Sequence, residues 1–570
     1  MGANCGRSKA TEPDCIDSPE AMESSRSGRS RKGSHSSTAS DCDGDEPDLP
    51  EVTRTETRRS TGRQVLIQHN QSGLDSEYSV GDKAGEGTQG VVFRAMRKRT
   101  GIVRAVKKVP KRNAMSAKFQ SEIAIMKRMD HPNIVKLFET FEDSHSTYLV
   151  MELCTGGELF DKIVEQGSLT EPEAALVLQD ILRAVHYMHE NDICHRDLKP
   201  ENFLFLNKGP IDSNNLLKLI DFGIACDCGP NTYLREMCGT PYYVAPQVIT
   251  RKYNKSSDLW SCGVIMYTLL CGKVPFTGPS DAQVLAKVRQ GIVRFKDPAW
   301  KQVSEEALSL VKALLSRNPK DRISATDALD HEWIRSCAAR AEPRLQDGLV
   351  EQIGRFRRTN RLKQAVLELV ANDMKDDKIR HLREAFTALD TNQDGLLTYT
   401  EIRDGMQRGG LVVPEEVDLL IADYKDTPVD YTEFLAATLD RQAHLSAKAI
   451  RVAFGTFDLD NSGKLTIQDV ARLFEGSVQS RASAARDIMD RYSTSGDGTM
   501  GLEDFQLMMG FESSPDSRAM EVVRTGSAQA VSKQGSYKLD SSSVSSDGSE
   551  DVSEESTDES TTLDTRARAE

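Results

Sequence analysis

The 570-residue chain has no apolar run long enough to span a bilayer and no apolar core of a secretory signal. A membrane-spanning chain is therefore not expected, and the cytosol is. Its 11 cysteines include no CxxC pair. Cys226 and Cys228 flank a single residue, and a zinc site there would need partners that the sequence does not supply. Reduced, unpaired thiols suit the cytosol. Positive charge is also short. The formal net charge is −14, gathered partly in an acidic C-terminal stretch, which argues against nucleic acid as the main partner. Large apolar side chains are scarce before residue 78, where Ser, Arg, Asp and Gly dominate, and after residue 510, where Ser, Asp and Glu do. Both ends are expected to be disordered. What remains between them is long enough for two or three domains.

Within that span stands His195-Arg196-Asp197-Leu198-Lys199-Pro200-Glu201-Asn202, followed by Asp221-Phe222-Gly223. The order and spacing resemble the catalytic and metal loops of protein kinases. Phosphoryl transfer from ATP needs a carboxylate to orient the attacking hydroxyl, which assigns Asp197. It needs oxygens to hold Mg²⁺ on the phosphates, which assigns Asp221 and Asn202. It also needs a cation beside the moving group, which assigns Lys199.

The resemblance extends upstream. Ala84-Gly85-Glu86-Gly87-Thr88-Gln89-Gly90-Val91-Val92 fits a glycine-rich loop, whose backbone must lie close over phosphates where a Cβ would collide. Lys107 follows in a strand-like stretch and is expected to hold the α- and β-phosphates while pairing with Glu122 on the next helix. Met151, Glu152 and Cys154 fall where kinases hold adenine, with Met151 as the gatekeeper and the backbones of Glu152 and Cys154 as hinge. Glu158 and Glu201 match positions that bind substrate arginines; carboxylates at a cleft mouth attract guanidinium groups. The chain departs from the family at Ala245-Pro246-Gln247, where kinases carry Glu. Arg322 is the expected partner, so Gln247 should leave that Arg less well compensated without removing any phosphate or metal ligand.

Further on, a motif recurs at roughly 35 residues, the spacing of EF-hands. Asp390-Thr391-Asn392-Gln393-Asp394-Gly395-Leu396-Leu397-Thr398-Tyr399-Thr400-Glu401 is a complete Ca²⁺ loop. Its expected ligands are Asp390, Asn392, Asp394, the carbonyl of Leu396 and Glu401. A loop from Asp458 offers Asp460, Ser462, the carbonyl of Lys464 and Asp469, whose shorter side chain should weaken Ca²⁺ binding. The loop ending at Glu433 begins with Ala422, has Tyr424 in a ligand position and Thr427 in place of the glycine, and is expected to be metal-free. The loop ending at Asp504 starts with Ser493, keeps Asp497 and Gly498, and should bind weakly. All four keep an apolar eighth residue (Leu397, Val429, Leu465 and Met500), so two paired lobes are expected.

Between kinase and EF-hands, Gly354–Val370 has a basic start and an apolar face of Leu362, Val366, Leu369 and Val370, the pattern of a helix that a calmodulin-like groove can bind. The order of kinase, basic junction and four EF-hands resembles the calcium-dependent protein kinases of plants and protists. The resemblance implies an α+β bilobal kinase followed by an all-α calmodulin-like domain. Expected boundaries are an N-terminal extension at 1–77, a kinase at 78–334 and a junction helix at 335–375. The calmodulin-like domain follows at 376–510, with EF-hands at 382–408, 415–440, 449–476 and 484–510, and then a tail at 511–570. It implies a Ser/Thr kinase using Mg²⁺ with ATP and switched on when Ca²⁺ binding relieves autoinhibition by the junction. Expected partners are ATP, Ca²⁺ and protein substrates with basic residues near the target; a monomer is expected.

Gly2 after the initiator invites N-myristoylation, and Cys5 a palmitoyl group that would supply the second membrane signal. Gly6 stands where the pattern has Ser or Thr. Two other readings compete: a kinase whose EF-hands are a constitutive dock, motivated by the degraded loops, and a calcium-responsive pseudokinase scaffold, motivated by Gln247 alone.

Overall fold

The computed structural model describes residues 67–70, 73–87, 90–338, 348–409, 411, 413–414, 416–424, 427–440 and 445–510. Gly2, Cys5, Thr88, Gln89, the expected tail 511–570 and the expected N-terminal extension up to residue 66 lie outside them, whereas residues 67–70 and 73–77 of that extension lie within. Among the described residues no helix is long and apolar enough to cross a membrane.

Alternating side chains build a six-stranded N-lobe sheet from β1 (Gln68–Asn70), β2 (Tyr78–Glu86), β3 (Val91–Arg97), β4 (Val103–Pro110), β5 (Leu137–Glu142) and β6 (Ser146–Met151), in the order β1-β5-β6-β4-β3-β2. The folded part thus begins upstream of the expected start at Tyr78. β1 adds parallel to β5 with Gln68 opposite Glu139, and Ile67 and Leu74 are buried. Three residues are too short for a readable pattern. Helix α1 (Ala117–Arg128) starts at Ser116, whose side chain accepts from the Phe119 N–H, and carries Glu122 inward.

The C-lobe is built around α2 (Glu171–Glu190) and α3 (Ser256–Cys271). Every residue from Ser257 to Cys271 is buried, so α3 reads as apolar all round and serves as a post for the catalytic loop.

The junction is two helices rather than the single one expected: α4 (Leu349–Arg357) and α5 (Arg361–Asn372). Asn360 makes the break. Its side-chain oxygen accepts from the Lys363 N–H at 2.8 Å and starts α5. Gln364 then donates to the carbonyls of Phe356, Arg357 and Thr359 at 3.1–3.2 Å, satisfying the end of α4. Leu349, Ile353, Phe356, Leu362, Val366 and Val370 share one core with the EF-hands, separate from the kinase core. The junction belongs structurally to the calcium module.

That module contains α6 (Asp376–Leu389), α7 (Tyr399–Arg408), α8 (Glu416–Tyr424) and α9 (Tyr431–Thr438) in its first pair of hands. The second pair is α10 (Ala447–Phe457), α11 (Ile467–Ala471), α12 (Val478–Tyr492) and α13 (Leu502–Met508). Leu397 pairs with Val429 and Leu465 with Met500 across short antiparallel bridges, as the apolar eighth positions predict.

The module docks behind the kinase. Arg97 and Arg104 bond Asp373 at 3.2 and 2.8 Å, just past α5. Asp130 accepts from the Thr432 N–H and hydroxyl at 2.9 Å each, and Arg183 on α2 donates to Gln393 in the first loop at 3.0 Å.

Candidate active site and calcium loops

β3 and β4 place Val92 opposite Lys107, so the lysine hangs under the glycine-rich turn. That turn closes through Gly87 N–H to the Gly90 carbonyl at 2.9 Å. A Cβ on Gly90 would lie 2.1 Å from the Lys108 carbonyl, which explains the third glycine. Ala84, Gly85 and Glu86 form the end of β2, and Val91 and Val92 open β3. Lys107 Nζ sits 2.6 Å from Glu122 Oε1, a closed pair with the carboxylate side chain 1% exposed.

Asp197 is held from several sides. Its Oδ1 accepts from the Thr240 N–H at 3.0 Å and hydroxyl at 2.7 Å, and its Oδ2 lies 2.9 Å from Lys199 Nζ. Asn202 donates through Nδ2 to the Asp197 carbonyl at 2.8 Å, which leaves its amide oxygen for a metal. Asp221 Oδ1 accepts from the Gly223 N–H at 3.0 Å, and Oδ2 has no protein partner among the described residues. An amide oxygen and a carboxylate oxygen are hard donors that fit Mg²⁺. Phe222 is fully buried edge-on against His195, at 5.5 Å between centroids, tying metal loop to catalytic loop. From α3, Asp258 accepts the His195 and Arg196 N–H groups at 2.9 Å each and lies 3.0 Å from His189 Nε2. Burial alone would push its carboxyl up, but the His189 and backbone bonds hold it below the ordinary carboxylate range.

Sequence reasoning missed Thr240 and Glu236. Arg196, in a left-handed conformation (φ 71), donates to the Ile224 carbonyl at 2.6 Å and to Glu236 at 3.1 Å. Glu236 also bonds Lys118 on α1 at 3.1 Å. One carboxylate thus links catalytic loop, activation segment and α1. Lys118 first, then Arg196, keep it below its ordinary pKa.

Met151 ends β6, 8% exposed, opposite Ala105. The Glu152 carbonyl and Cys154 N–H have no protein partner among the described residues, as an adenine-binding hinge requires. The Glu152 side chain points elsewhere, to Lys218 at 2.8 Å. Glu158 and Glu201 come together. Burial first, then Asp161 and Glu201, push the Glu158 carboxyl up, and Glu201 Oε2 is buried without a hydrogen-bond partner. The pair suits a visiting cation.

In the first EF-hand, Asp390 Oδ2 accepts from the Gly395 N–H at 3.0 Å, while Oδ1 is buried and unpartnered. Burial, then Asp394 and Glu401, push its carboxyl well up. Asn392 and Asp394 bond each other at 3.2 Å, and Glu401 closes a capping box with Thr398. Leu396 supplies the bridge carbonyl. An orphaned buried carboxylate oxygen among amide and carbonyl oxygens fits Ca²⁺. Among the described residues no three His, Cys, Asp or Glu side chains converge as a metal cluster.

In the third hand, Asp458 accepts from Ser462 and Gly463 N–H groups at 3.0 and 2.9 Å, Asp460 from Ser462 at 3.0 Å, and Asp469 caps its helix through Thr466. The Lys464 side chain crosses to Asp497 of the fourth hand at 2.7 Å and, with Ser495 and Thr499, holds that carboxylate low. In the second hand, Glu433 is already engaged by Arg357.

Residues 78–334 match the protein kinase domain family and residues 382–406 the EF hand family. Calcium-dependent protein kinase 3 of Plasmodium berghei (strain Anka) is 38% identical over 451 residues, covering 76% of this chain and 80% of its own length. Calcium-dependent protein kinase 17 of Arabidopsis thaliana is 36% identical over 451 residues, covering 76% and 84%. The chain belongs to the calcium-dependent protein kinases. Lys107, Glu122, Asp197, Asn202 and Asp221 are all present in the chain, so the pseudokinase reading rests only on Gln247. Gln247 does meet Arg322, at 3.1 Å.

Proposed function

We propose that this calcium-regulated Ser/Thr kinase transfers the γ-phosphate of ATP to hydroxyls near basic residues, and that control acts from behind the catalytic cleft. The observation that carries it is the pairing of a closed Lys107–Glu122 bridge with a calcium module anchored on the opposite side of β4.

Lys107 holds ATP phosphates, Asp197 receives the substrate hydroxyl, and Lys199 offsets charge on the moving group. Asp221 and Asn202 would hold Mg²⁺, which would supply charge neutralisation on the phosphates. Thr240 and Lys199 hold the two oxygens of the Asp197 carboxylate in place. Glu158 and Glu201 recognise a substrate arginine by charge-assisted bonds. Asp390, Asn392, Asp394, Leu396 and Glu401 hold Ca²⁺ in the first hand, and Asp458, Asp460, Ser462, Lys464 and Asp469 in the third.

The first hand is the better placed to report Ca²⁺. Its Gly395 lies against Tyr187 and His131 of the kinase, and Gln393 accepts from Arg183. Ca²⁺ held there would lie beside the surface that touches the kinase. Acylation at Gly2 and Cys5 would add a membrane surface.

The test is phosphate transfer to a peptide with Arg three residues before Ser, across free Ca²⁺, with Asp197→Ala as the blank. Activity should rise steeply with Ca²⁺, Asp390→Ala should abolish most of the rise, and Glu201→Gln should raise KM for the Arg peptide more than for one lacking Arg. Equal activity in chelator would establish the constitutive dock instead.

A further inference from the structure

The second EF-hand has Ala422 and Tyr424 where a metal loop has its first two ligands, yet its Val429 pairs with Leu397 of the first hand. Arg357, the last residue of α4, extends into the loop with its side chain 9% exposed. Its Nε donates to Glu433 Oε1 at 2.7 Å and its Nη2 to Glu433 Oε2 at 3.1 Å, a bidentate fork. The same Nη2 donates to the Pro428 carbonyl at 2.8 Å, and Nη1 to the Thr427 carbonyl at 2.8 Å. Counting the loop from Ala422, Pro428 is position 7, whose carbonyl is a Ca²⁺ ligand in an EF-hand, and Glu433 is position 12, the bidentate carboxylate. The guanidinium therefore takes the oxygens that a divalent cation would take.

We propose that Arg357 is the resident cation of the second EF-hand: a guanidinium supplied by the junction that replaces Ca²⁺, so that α4 and this hand are locked together whether or not Ca²⁺ is present. Charge and geometry agree. Burial works against the guanidinium, but Glu433 more than offsets it and holds the group above its ordinary pKa. The Arg357 guanidinium also lies over the Tyr399 ring, 5.3 Å from its centroid, in the helix leaving the first hand. The lock thus reaches both hands of the pair. A point-charge ammonium could not fork to both carboxylate oxygens and both carbonyls, so the planar group is required.

The consequence concerns regulation. Junction release that required α4 to leave the first lobe would strand Glu433 and two carbonyls. α4 therefore stays with the module in both states, and Ca²⁺ acts through the hands that keep metal ligands.

Hydrogen exchange on the full chain, with chelator and with saturating Ca²⁺, tests this without reference to phosphate transfer, so the kinase reading stands or falls separately. Amides of Leu349–Arg357 and Tyr431–Thr438 should be equally protected in both conditions. Arg357→Ala should lose that protection by roughly tenfold or more in both, since removing one partner leaves a buried charge uncompensated, while peptides of α3 keep theirs. If Arg357→Ala unfolds the whole module, Glu433→Gln, which keeps shape and drops charge, should loosen the same two segments. Protection of α4 that appears only with Ca²⁺ in the unsubstituted chain, or Arg357→Ala and Glu433→Gln with full protection, would overturn the proposal.

Discussion

Restoring the missing carboxylate at position 247 should stabilise the kinase domain, and the size of the gain follows from Arg322. That guanidinium is 7% exposed and donates to the Ser256 carbonyl at 2.7 Å, twice to the Ser316 carbonyl at 2.9 and 3.1 Å, and to Gln247 Oε1 at 3.1 Å. None of these acceptors is charged. Burial pushes its pKa from the ordinary 12.5 down to about 10. At 1.36 kcal/mol per pKa unit, holding the charge there costs about 3 kcal/mol at neutral pH. Gln247→Glu should recover part of this, about 1–3 kcal/mol, the usual worth of a hydrogen bond to a charged partner. The substitution also gives up the bond from Gln247 Nε2 to the Arg317 carbonyl, which keeps the gain toward the lower end. For a domain of this size each kcal/mol moves Tm by about 2–4 °C. The sign with pH is definite. The Arg322 penalty is complete below its folded value and fades only as pH rises toward 12.5, so it is constant across ordinary buffers. The new carboxylate, its pKa lowered by Arg322, stabilises fully above its unfolded pKa of about 4.3 and loses the gain as pH falls through the folded value. Calorimetry of the kinase transition at pH 7.5, repeated at lower pH, reads both effects. An unchanged or lower Tm at pH 7.5 would refute the reasoning and mean that the backbone carbonyls already compensate Arg322.

Two further outcomes follow from single contacts. Glu236→Ala removes the carboxylate shared by Arg196 and Lys118 and should lower kcat by about tenfold to a hundredfold through misplacement of the catalytic loop. ATP affinity should stay near that of the unsubstituted chain, and a kcat within twofold would show that Arg196 is positioned by the Ile224 carbonyl alone. Gly395→Ala and Gly463→Ala both place a Cβ at a left-handed residue, φ 76 and 80, at about 1–2 kcal/mol each. Only the first meets the kinase, with Tyr187 and His131 atoms at 2.6 and 2.7 Å, whereas nothing lies within 4 Å of the second. Half-maximal Ca²⁺ for activation should rise more for Gly395→Ala, and equal shifts would exclude a kinase contact at the first loop.

Phosphate chemistry demands fixed residue types at fixed spacings, which is why the sequence alone proposes Lys107, Glu122, Asp197, Asn202 and Asp221; the fold adds that Lys107 lies 2.6 Å from Glu122 and that Asn202 donates to the Asp197 carbonyl at 2.8 Å. Loop pairing was legible from one apolar residue per repeat. The junction break was not, since the apolar period runs through Thr359 and Asn360 and only the local preference of Asn360 for a cap interrupts it. β1 is too short to announce itself. Glu236, Asp130 and Asp373 look like surface carboxylates, because their partners lie 40 to 302 residues away in sequence. In the sequence Arg357 is one of a basic cluster, and its partner Glu433, 76 residues on, gives no local signal.

The rear dock and the catalytic lysine share one strand, and this suggests how the proposed control reaches the cleft. Successive residues of β4 face opposite sides, so Arg104 and Lys107 project from opposite faces. Arg104 bonds Asp373 and the Asn372 carbonyl and stacks on Phe138, 3.7 Å from the ring centroid. Lys107 bonds Glu122 on the other face. Arg97 on β3 shares Asp373, and burial of its guanidinium is offset by Glu139 and Asp373. Lys136 reaches Asn372 at 2.9 Å and Thr432 at 3.1 Å. Asn372 ends α5 and Asp373 follows it, and Leu362, Ala365, Val366, Leu367, Val370 and Ala371 of the same helix are core of the calcium module. A change in the EF-hands that shifts α5 must therefore either carry Asp373 away or drag β3 and β4 with it. Carrying it away strips two poorly exposed arginines of their shared carboxylate, a cost of the order of a few kcal/mol. That sum is comparable to a typical allosteric coupling of about 1–3 kcal/mol. On the proposed control, a rear contact of this size would bias the N-lobe and remain within the range that an effector can reverse.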